Sequence, residues 1–453
     1  MIKINIPNNF IQERKYIIEI LFKEFLEIHY KIYIKKIREY EIILENNNIL
    51  QIKDSFFIKF RNKNDYLNRN NIQEKIRFFK NEFLVEKDIP VIYGDNEIKI
   101  SENKITCGID IFASSFFMLT RWEELVNKKR DEHQRFPGKY SLAYKNNFLN
   151  RPVVNEYVEL LWNMLKKLGI KQERKKNNFN LILTHDVDKL YKFYNWKNIL
   201  RRLGGDIIKR KNIKIFLNTA KKYLNVRREL EKDPFDSFDY LTKKSNSIGM
   251  KSRFYFMSGG NSMYDNNYLI KDARNIINEI KKRNHLVGFH ASYNSYNNLE
   301  LWQKEKDKIE EVCKLKVSEG RQHYLRFEVP YTWRIWDKNN MKVDSTCGYV
   351  DVEGFRCGTG DEFYVFDVLK RKKLKLKERP LIIMEGTLNG KNYRNLSKEE
   401  AMEIINYYFN ITKKYHSTIT LLWHNSSFDE NSCWHGWELV YEEIIKMSAY
   451  LNK

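Results

Sequence analysis

The most constraining feature of this sequence is a series of short apolar runs that alternate with helical stretches after about residue 179. Runs of this length are typical of strands buried on both faces of a sheet. Strands that alternate with helices predict a parallel sheet or barrel covered by helices, which is an α/β fold. Ser397 and Glu400 form a capping box that predicts the start of one such helix. The six apolar runs are 180–184, 253–257, 286–289, 324–327, 381–384 and 418–423.

The first part of the chain has a different pattern. Residues 11–30 have apolar side chains at helical spacing, and residues 97–100 alternate like a strand. A chain of 453 residues is too long for one ordinary core. The charged segment 171–178 predicts a linker, so we expect a smaller α+β domain over residues 1–170 and an α/β domain over residues 179–453.

The cysteines and the apolar runs indicate where such a protein would work. The five cysteines are scattered and contain no CxxC pair, which argues against a disulfide framework and favours a reducing compartment. The first residues lack the layout of a secretory signal. No run approaches the roughly 20 apolar residues needed to span a bilayer. We therefore expect a cytoplasmic protein without a transmembrane segment, and peripheral contact with a membrane stays open.

The formal net charge of +22 raises the question of nucleic-acid binding. Lysine is spread through every segment together with many isoleucines and asparagines, which indicates a biased composition rather than a binding patch. We therefore do not predict nucleic acid as a partner. An anionic glycan, or a nucleotide-linked or lipid-linked sugar, would be attracted by the same field.

Polar side chains follow four of the predicted strands, where chemistry collects in parallel α/β folds. Asp186 and Asp188 follow the first run, His290 the third, Glu385 the fifth and His424 the last. Imidazole and carboxylate together suit zinc or a similar divalent metal. A helix N-cap would explain one aspartate without any metal. A histidine bonded to a backbone carbonyl in the core would likewise explain His424.

Two further segments extend this candidate site. His290 and Asn294 have the spacing of residues that face the same side of a helical turn, so both are candidate metal ligands. Residues 320–333 crowd arginine, histidine and aromatic side chains around a proline. An arginine there could orient a catalytic carboxylate, and Trp333 could stack on a sugar. Ordinary surface arginines would explain the same composition.

Four motifs in this order resemble the polysaccharide deacetylase family, the NodB-homology carbohydrate esterases. They are an aspartate-bearing strand end at 184–188, a histidine motif at 290–294, an arginine- and proline-containing loop at 321–333, and a late Leu-x-His motif at 422–425. The first 170 residues resemble the accessory domain that precedes this module in some bacterial glycan-cluster proteins.

The resemblance implies a distorted (β/α) barrel with fewer than the full set of strands. It also implies that one divalent metal ion, zinc with cobalt, manganese or nickel as alternatives, assists removal of an N-acetyl group from a sugar. Carried over, Asp186 is the general base, Asp188 and His290 are metal ligands, and His424 is the general acid. Glu328 stands where the family has an arginine, so Arg326 or Arg321 would orient the catalytic carboxylate, and Arg326 is the favoured candidate. The other candidates are Asn294 as a metal ligand and Tyr331, Trp333, Arg321 and His323 as substrate-binding residues.

One departure from the family pattern affects the metal. Asn294 stands where the family has a second histidine, and His323 and His285 are the candidates to complete the ligand set instead. The favoured interpretation is a sugar N-deacetylase of surface polysaccharide synthesis, acting on an acetylated sugar or glycan precursor. An inactive glycan-binding protein on the same fold and a hydrolase of a non-sugar amide remain alternatives.

Overall fold

The computed structural model describes residues 1–175, 178–208, 213–265 and 268–451. These residues form a six-stranded sheet early in the chain, a nine-stranded sheet later in the chain, and a two-stranded ribbon. The predicted linker 171–178 includes residues 176 and 177, which lie outside the described residues. Within the described residues, no helix is both long enough and apolar enough to cross a membrane.

The first part of the chain packs helices against the six-stranded sheet, whose order is β2-β1-β3-β4-β8-β7. The strands of this sheet are β1 (Ile2–Pro7), β2 (Tyr30–Lys35), β3 (Tyr40–Ile43), β4 (Ile49–Ile52), β7 (Gly94–Ile100) and β8 (Lys104–Ile109). The two-stranded ribbon consists of β5 (Arg77–Phe79) and β6 (Ile89–Val91). Its helices are α1 (Ile11–Ile18), α2 (Ile111–Thr120), α3 (Trp122–Val126), α4 (Leu142–Lys145) and α5 (Val153–Lys167). Every residue of α2 is buried, and seven of its ten residues are apolar, as expected of a helix enclosed on all sides.

The second part of the chain alternates strands and helices. Its strands are β9 (Asn180–Val187), β10 (Arg253–Phe256), β11 (Leu286–Ala291), β12 (Glu319–Gln322), β13 (Val343–Asp344), β14 (Phe363–Asp367), β15 (Lys372–Glu378), β16 (Ile383–Met384) and β17 (Thr418–Leu422). Its helices are α6 (Trp196–Ile208), α7 (Ile213–Arg227), α8 (Phe238–Ser247), α9 (Arg274–Lys282), α10 (Leu299–Cys313), α11 (Tyr331–Lys338), α12 (Glu385–Asn389), α13 (Lys398–Lys414) and α14 (Trp437–Leu451).

The nine-stranded sheet is mostly parallel and curls without closing. Its order is β14-β15-β13-β12-β11-β10-β9-β17-β16, and every pairing except that of β14 with β15 is parallel. β14 and β16 are its edges, so the barrel stays open between them. The predicted α/β class is therefore confirmed. The carboxyl ends of β9, β11, β12 and β17 share one rim of this sheet, as parallel strands require.

The predicted strands and caps can be compared with these elements. The runs at 180–184, 253–257, 286–289 and 418–423 coincide with β9, β10, β11 and β17. The strand predicted at 324–327 is wrong, because the chain there forms a short 3₁₀ turn, His323–Leu325, and the strand is the preceding segment β12. The capping box is confirmed: Ser397 accepts a hydrogen bond from the Glu400 amide at 3.2 Å, and Glu400 accepts one from the Ser397 amide at 2.8 Å.

A buried charge network joins the two parts of the chain. Arg121 and Arg356 each donate to the Glu124 carboxylate at 2.9 Å. These three side chains are at most 3% exposed. Burial raises the pKa of Glu124, but Arg356 and Arg121 outweigh burial and lower this pKa to about 2. Arg371 adds a bridge through two hydrogen bonds to Glu13, at 2.6 and 2.7 Å, so charged contacts hold the two parts in one arrangement.

Candidate active site

Three side chains from one parallel stretch of the nine-stranded sheet meet at its rim: Asp188, His290 and His323. Asp188 follows β9, His290 lies near the end of β11, and His323 directly follows β12. The Oδ1 atom of Asp188 is 3.2 Å from Nε2 of His290 and 3.5 Å from Nδ1 of His323. The parallel strands therefore bring together a carboxylate and two imidazoles that are far apart in the sequence.

Backbone carbonyls fix the orientation of both imidazole rings. Nδ1 of His290 lies 2.9 Å from the carbonyl oxygen of Arg321, and Nε2 of His323 lies 2.7 Å from that of Tyr264. A carbonyl only accepts hydrogen bonds, so these two nitrogens carry protons and donate them. The opposite nitrogens, Nε2 of His290 and Nδ1 of His323, face each other at 3.0 Å. Two nitrogen lone pairs at that distance require a proton or a metal cation between them.

The donor atoms of this group fit a divalent metal ion. Oδ1 of Asp188 is buried, and among the described residues it accepts no hydrogen bond. Ligands about 2.0–2.2 Å from a tetrahedral zinc ion lie about 3.3 Å from one another. The separations of 3.0, 3.2 and 3.5 Å in this group are close to that value. Histidines whose outer nitrogen donates to a backbone carbonyl are typical of metal sites.

The electrostatics of the group also favour a cation. Burial would raise the pKa of Asp188, but His323, His290 and His424 outweigh burial and hold that pKa well below its usual range. Burial opposes charge on His290, yet Asp186 and Asp188 raise the pKa of His290 above its ordinary value. Burial lowers the pKa of His323. The group is thus arranged to hold a positive charge beside an ionised carboxylate.

Asp186 lies next to this group and is held by a buried arginine. Arg321, which is fully buried, donates to Oδ1 of Asp186 at 2.7 Å and to the Thr184 hydroxyl at 3.0 Å. It also donates to the carbonyl oxygen of Ser345 at 2.7 Å. Oδ2 of Asp186 lies 3.8 Å from Nε2 of His290. Arg321 therefore orients Asp186, and the prediction that it binds substrate is corrected because its side chain has no exposed surface.

Removal of this arginine should destabilise the fold. We expect Arg321→Met to lower the free energy of unfolding by about 3–5 kcal/mol, because Asp186 would remain buried without its cationic partner. Urea denaturation measures the change. Arg321→Met combined with Asp186→Asn should recover part of the loss, since no unpaired charge is then left. A loss below about 1 kcal/mol, the range of an exposed ion pair, would contradict this account of the pair.

His424 faces Asp188 from the opposite side of the rim. Its Nε2 atom is 3.7 Å from Oδ2 of Asp188, and its Nδ1 atom is 2.7 Å from the fully buried carboxylate of Glu385. The same carboxylate oxygen accepts hydrogen bonds from the His424 amide and the Ser427 hydroxyl, each at 2.7 Å. Burial opposes charge on His424, but Glu385 and the nearby aspartates outweigh it and raise the pKa of His424 to about 10. The imidazole is therefore protonated at neutral pH, as a general acid must be.

The structure places two predicted site residues differently from the sequence analysis. Asn294 is exposed, and its Oδ1 atom lies 3.4 Å from a donating nitrogen of Arg326. His290 lies in β11 rather than on a helical turn, so the spacing of four residues does not place Asn294 beside it. Arg326 stacks on Tyr293 at 3.9 Å and on Tyr296 at 4.1 Å, and it is Arg321 that contacts Asp186. The prediction of Arg326 as the orienting arginine is therefore wrong.

Other predictions are also corrected. Trp333 is fully buried and donates to the Glu378 carboxylate at 2.8 Å, so it offers no face to a sugar. His285 lies before β11, at the end of the strand away from His290, and accepts a hydrogen bond from the Ser252 amide at 3.0 Å. Tyr331 is 42% exposed at the start of α11, with Arg334 stacked at 5.1 Å, and its role in substrate binding stays a prediction.

Four aromatic rings pack together beside His323, and we call them the aromatic box: His133, Tyr264, Tyr293 and Tyr324. Their ring centroids lie between 4.6 and 5.8 Å apart. His323 continues the stack, 4.8 Å from Tyr324. Tyr324 has φ +60°, a strained conformation for a residue with a side chain and one that is common at functional sites.

The first part of the chain supplies one side of this box. His133 precedes α4, and its Nδ1 atom forms a hydrogen bond of 2.9 Å with the Tyr293 hydroxyl. Its carbonyl oxygen accepts a hydrogen bond from Arg326 at 2.9 Å. Arg135 donates to the carbonyl oxygen of Tyr324 at 3.3 Å. Residues that the sequence analysis assigned to an accessory domain therefore reach the neighbourhood of the candidate metal ligands.

The fold and the site define an α/β protein with a histidine–carboxylate group of the kind that binds a divalent metal. A family of unknown function, DUF7033, matches residues 2–170. This match includes His133 and Arg135, but the candidate metal ligands and the catalytic candidates lie after it. No curated protein sequence matches the chain significantly.

Several solved structures are similar to about 60% of the chain at low identity. A Mycobacterium smegmatis protein provisionally described as a polysaccharide deacetylase is 12% identical, with 61% of this chain and 85% of that chain covered and a TM-score of 0.40. A CE4 family pseudoenzyme from Bacillus anthracis is 12% identical, with 60% and 63% covered and a TM-score of 0.30. The catalytic domain of a peptidoglycan N-acetylglucosamine deacetylase from Eubacterium rectale is 15% identical, with 60% and 85% covered and a TM-score of 0.28. All three TM-scores are below 0.5, so we infer function from the side chains.

Proposed function

We propose that this protein is a metal-dependent amide hydrolase that removes an N-acetyl group from a sugar. The observation that carries the proposal is the pair of inward-facing nitrogens of His290 and His323, 3.0 Å apart beside the unsatisfied Oδ1 of Asp188. Zinc, cobalt, manganese and nickel all suit this donor set. The open, mostly parallel sheet and the order of the motifs along it support a barrel of the polysaccharide deacetylase type.

The residues around the metal ligands have complementary roles in hydrolysis. When bound, a divalent ion supplies Lewis-acid activation of water and of the amide carbonyl. Arg321 orients the carboxylate of Asp186, which can accept the proton that the attacking water loses. His424 donates a proton to the amine nitrogen as its bond to the carbonyl carbon breaks, and Glu385 holds the imidazole for this transfer. The products are acetate and the free amine of the sugar.

The aromatic box supports a sugar as the substrate. Its rings stand directly beside His323, and Tyr264 is 37% exposed, which leaves part of its ring open to a ligand. Aromatic rings at the edge of a polar site offer an apolar surface for the ring carbons of a sugar and a hydroxyl for hydrogen bonding. A role in surface polysaccharide synthesis, inside a reducing cytoplasm, rests on the motif resemblance and on the five free cysteines.

The box gives a prediction for substrate binding. We expect Tyr264→Ala to raise KM for the acetylated sugar about tenfold, the equivalent of one aromatic contact, with kcat changed little. Steady-state kinetics of acetate release measures both constants. Tyr33→Ala is a matched control, because Tyr33 is 40% exposed on β2, in the sheet of the first part of the chain, and should leave KM unchanged. Equal effects of the two substitutions would contradict the assignment of the box.

The proposed reaction can be tested directly. The purified chain is loaded with zinc, cobalt or manganese and incubated with N-acetylated sugars, free and as nucleotide-linked and lipid-linked forms, and acetate is measured enzymatically. We expect release that depends on the metal and stops with a chelator. Binding of the sugar without release would favour the inactive glycan-binding protein. Release from non-sugar amides alone would favour a hydrolase of another substrate class.

A further inference from the structure

A helical hairpin made of α6 and α7 projects from the rim that holds the candidate metal ligands. It begins a few residues after Asp188 and returns to the barrel just before α8. The Asp233 carboxylate clamps its base by accepting hydrogen bonds from the amides of Lys192 and Phe193, at 2.7 and 2.9 Å. Lys192 also pairs with Asp429 at 2.7 Å.

The base of the hairpin is tied to the residue beside His424. The Asn425 side chain donates to the carbonyl oxygen of Lys189 at 2.9 Å and to that of Phe235 at 2.8 Å. Lys189 follows Asp188 directly, and Phe235 precedes α8. Asn425 therefore fixes both ends of the hairpin next to His424, so the hairpin lies at the edge of the candidate site.

Each helix of the hairpin exposes a stripe of apolar side chains. On α7, Ile213, Leu217 and Leu224 are 72%, 58% and 49% exposed. On α6, Leu200 and Ile207 are 59% and 49% exposed. At about 100° per residue, the three side chains of α7 fall within about 40° of the helix circumference, and the two of α6 within about 20°. These stripes lie in contact with solvent, unlike the apolar faces of the other helices that pack on the sheets.

Positive charge surrounds the apolar stripes. Residues 196–208 and 213–228 contain eight lysines and arginines and one acidic residue, Asp206. Lys214, Lys221 and Arg227 are exposed on α7. On the helix circumference, Lys214 and Lys221 flank the α7 stripe on one side and Arg227 flanks it on the other. An exposed apolar stripe flanked by lysine and arginine is the pattern of helices that lie in the surface of an anionic membrane.

We propose that α6 and α7 dock this protein on the surface of an anionic lipid bilayer, with the rim of the sheet beside the membrane. The apolar stripes bury themselves among the lipid headgroups and acyl chains, and the flanking cations contact the lipid phosphates. Nucleic acid would contact the cations but leave the exposed leucines and isoleucines in water, so the stripes favour a bilayer. The proposal is independent of the reaction, since it rests on the exposed side chains of the hairpin alone.

Flotation of the metal-loaded, full-length protein with lipid vesicles tests this proposal. We expect the protein to float with vesicles that contain phosphatidylglycerol and much less with vesicles of phosphatidylcholine alone, and the difference to shrink at high salt. Leu217→Ser combined with Leu224→Ser should reduce the bound fraction about tenfold or more, because serine cannot enter the acyl region. Lys214→Glu combined with Lys221→Glu should remove the preference for the anionic lipid.

Leu439→Ser is the matched control, because Leu439 is 63% exposed on α14 and its neighbour Glu438 is acidic. This substitution should leave flotation unchanged. Metal content and acetate release from a free sugar should stay at the wild-type level in the α7 variants, which separates this proposal from the proposed reaction. Flotation that is absent, or that the α7 serine variant retains, overturns the proposal. A wild-type dimer that the same serine variant converts to a monomer, without flotation, also overturns it in favour of self-association.

Discussion

We expect His323→Ala to lose the bound metal, whereas Asn294→Ala should retain it. His323 contributes one of the two inward-facing nitrogens, while Asn294 is exposed and contacts Arg326. We expect the affinity of His323→Ala for zinc to fall by more than about 100-fold, since even the loss of a residue that only orients a metal ligand costs about 10–100-fold. Elemental analysis after reconstitution and dialysis measures the metal retained.

The same measurement on other variants completes the test. Asp188→Asn and His290→Ala should also lose the metal, and Asn294→Ala should retain about one ion per chain, as the wild type does. Circular dichroism of each variant checks that the fold survives. Retention of metal by His323→Ala together with its loss in Asn294→Ala would restore the ligand set predicted from the sequence. A wild-type protein that takes up no divalent metal would contradict the hydrolytic mechanism altogether.

Substitution of His424 should abolish most of the hydrolysis without removing the metal. His424 is held by Glu385 at 2.7 Å, and its raised pKa keeps it protonated at neutral pH. We expect His424→Gln to lower kcat for an N-acetyl sugar by about 100- to 10,000-fold, the usual contribution of a general acid. Metal content should stay at the wild-type level, because His424 contacts Asp188 only from the side away from His290 and His323.

A leaving group that needs no protonation distinguishes a general acid from a merely structural residue. An aryl acetate releases a stable phenolate, so the loss of kcat in His424→Gln should be much smaller for that ester than for the amide. Glu385→Gln should cause a smaller loss than His424→Gln, since Glu385 acts through the imidazole. Equal losses on the amide and the ester would contradict the role of His424 as the proton donor.

Several strands that are buried on both faces could be predicted from the sequence because apolar residues fill most of their positions. β17, for example, has the sequence Thr-Ile-Thr-Leu-Leu, and its last four residues are buried. β12 was missed for the opposite reason. Its residues Arg321 and Gln322 are polar yet buried, and their side-chain nitrogens donate hydrogen bonds inside the rim. β12 therefore lacks the apolar pattern by which β9 and β11 could be recognised.

The candidate site could be predicted in part for a related reason. Asp186, Asp188, His290 and His424 each follow an apolar run, and the structure brings all four to one rim. Whether Arg321 or Arg326 orients Asp186 depends on where β12 ends, and this could not be judged because β12 was not predicted. His323 was predicted as a substrate-binding residue or a substitute for Asn294, because its role as a metal ligand depends on a carbonyl of Tyr264 that is distant in the sequence.

The buried charge network of Arg121, Glu124 and Arg356 holds the two parts of the chain in place, so the entrance to the site has a constant width. A hinge motion there would pull Arg121 and Arg356 away from Glu124 and leave charges that are at most 3% exposed without partners. Leaving one such charge without its partner costs about 3–5 kcal/mol, so fewer than about 1% of the molecules would be open at any time. Because His133 is carried by one part and His323 by the other, the width of the entrance is set when the chain folds. A molecule that enters is thus selected by its own size and shape, without closure of one half of the protein on the other.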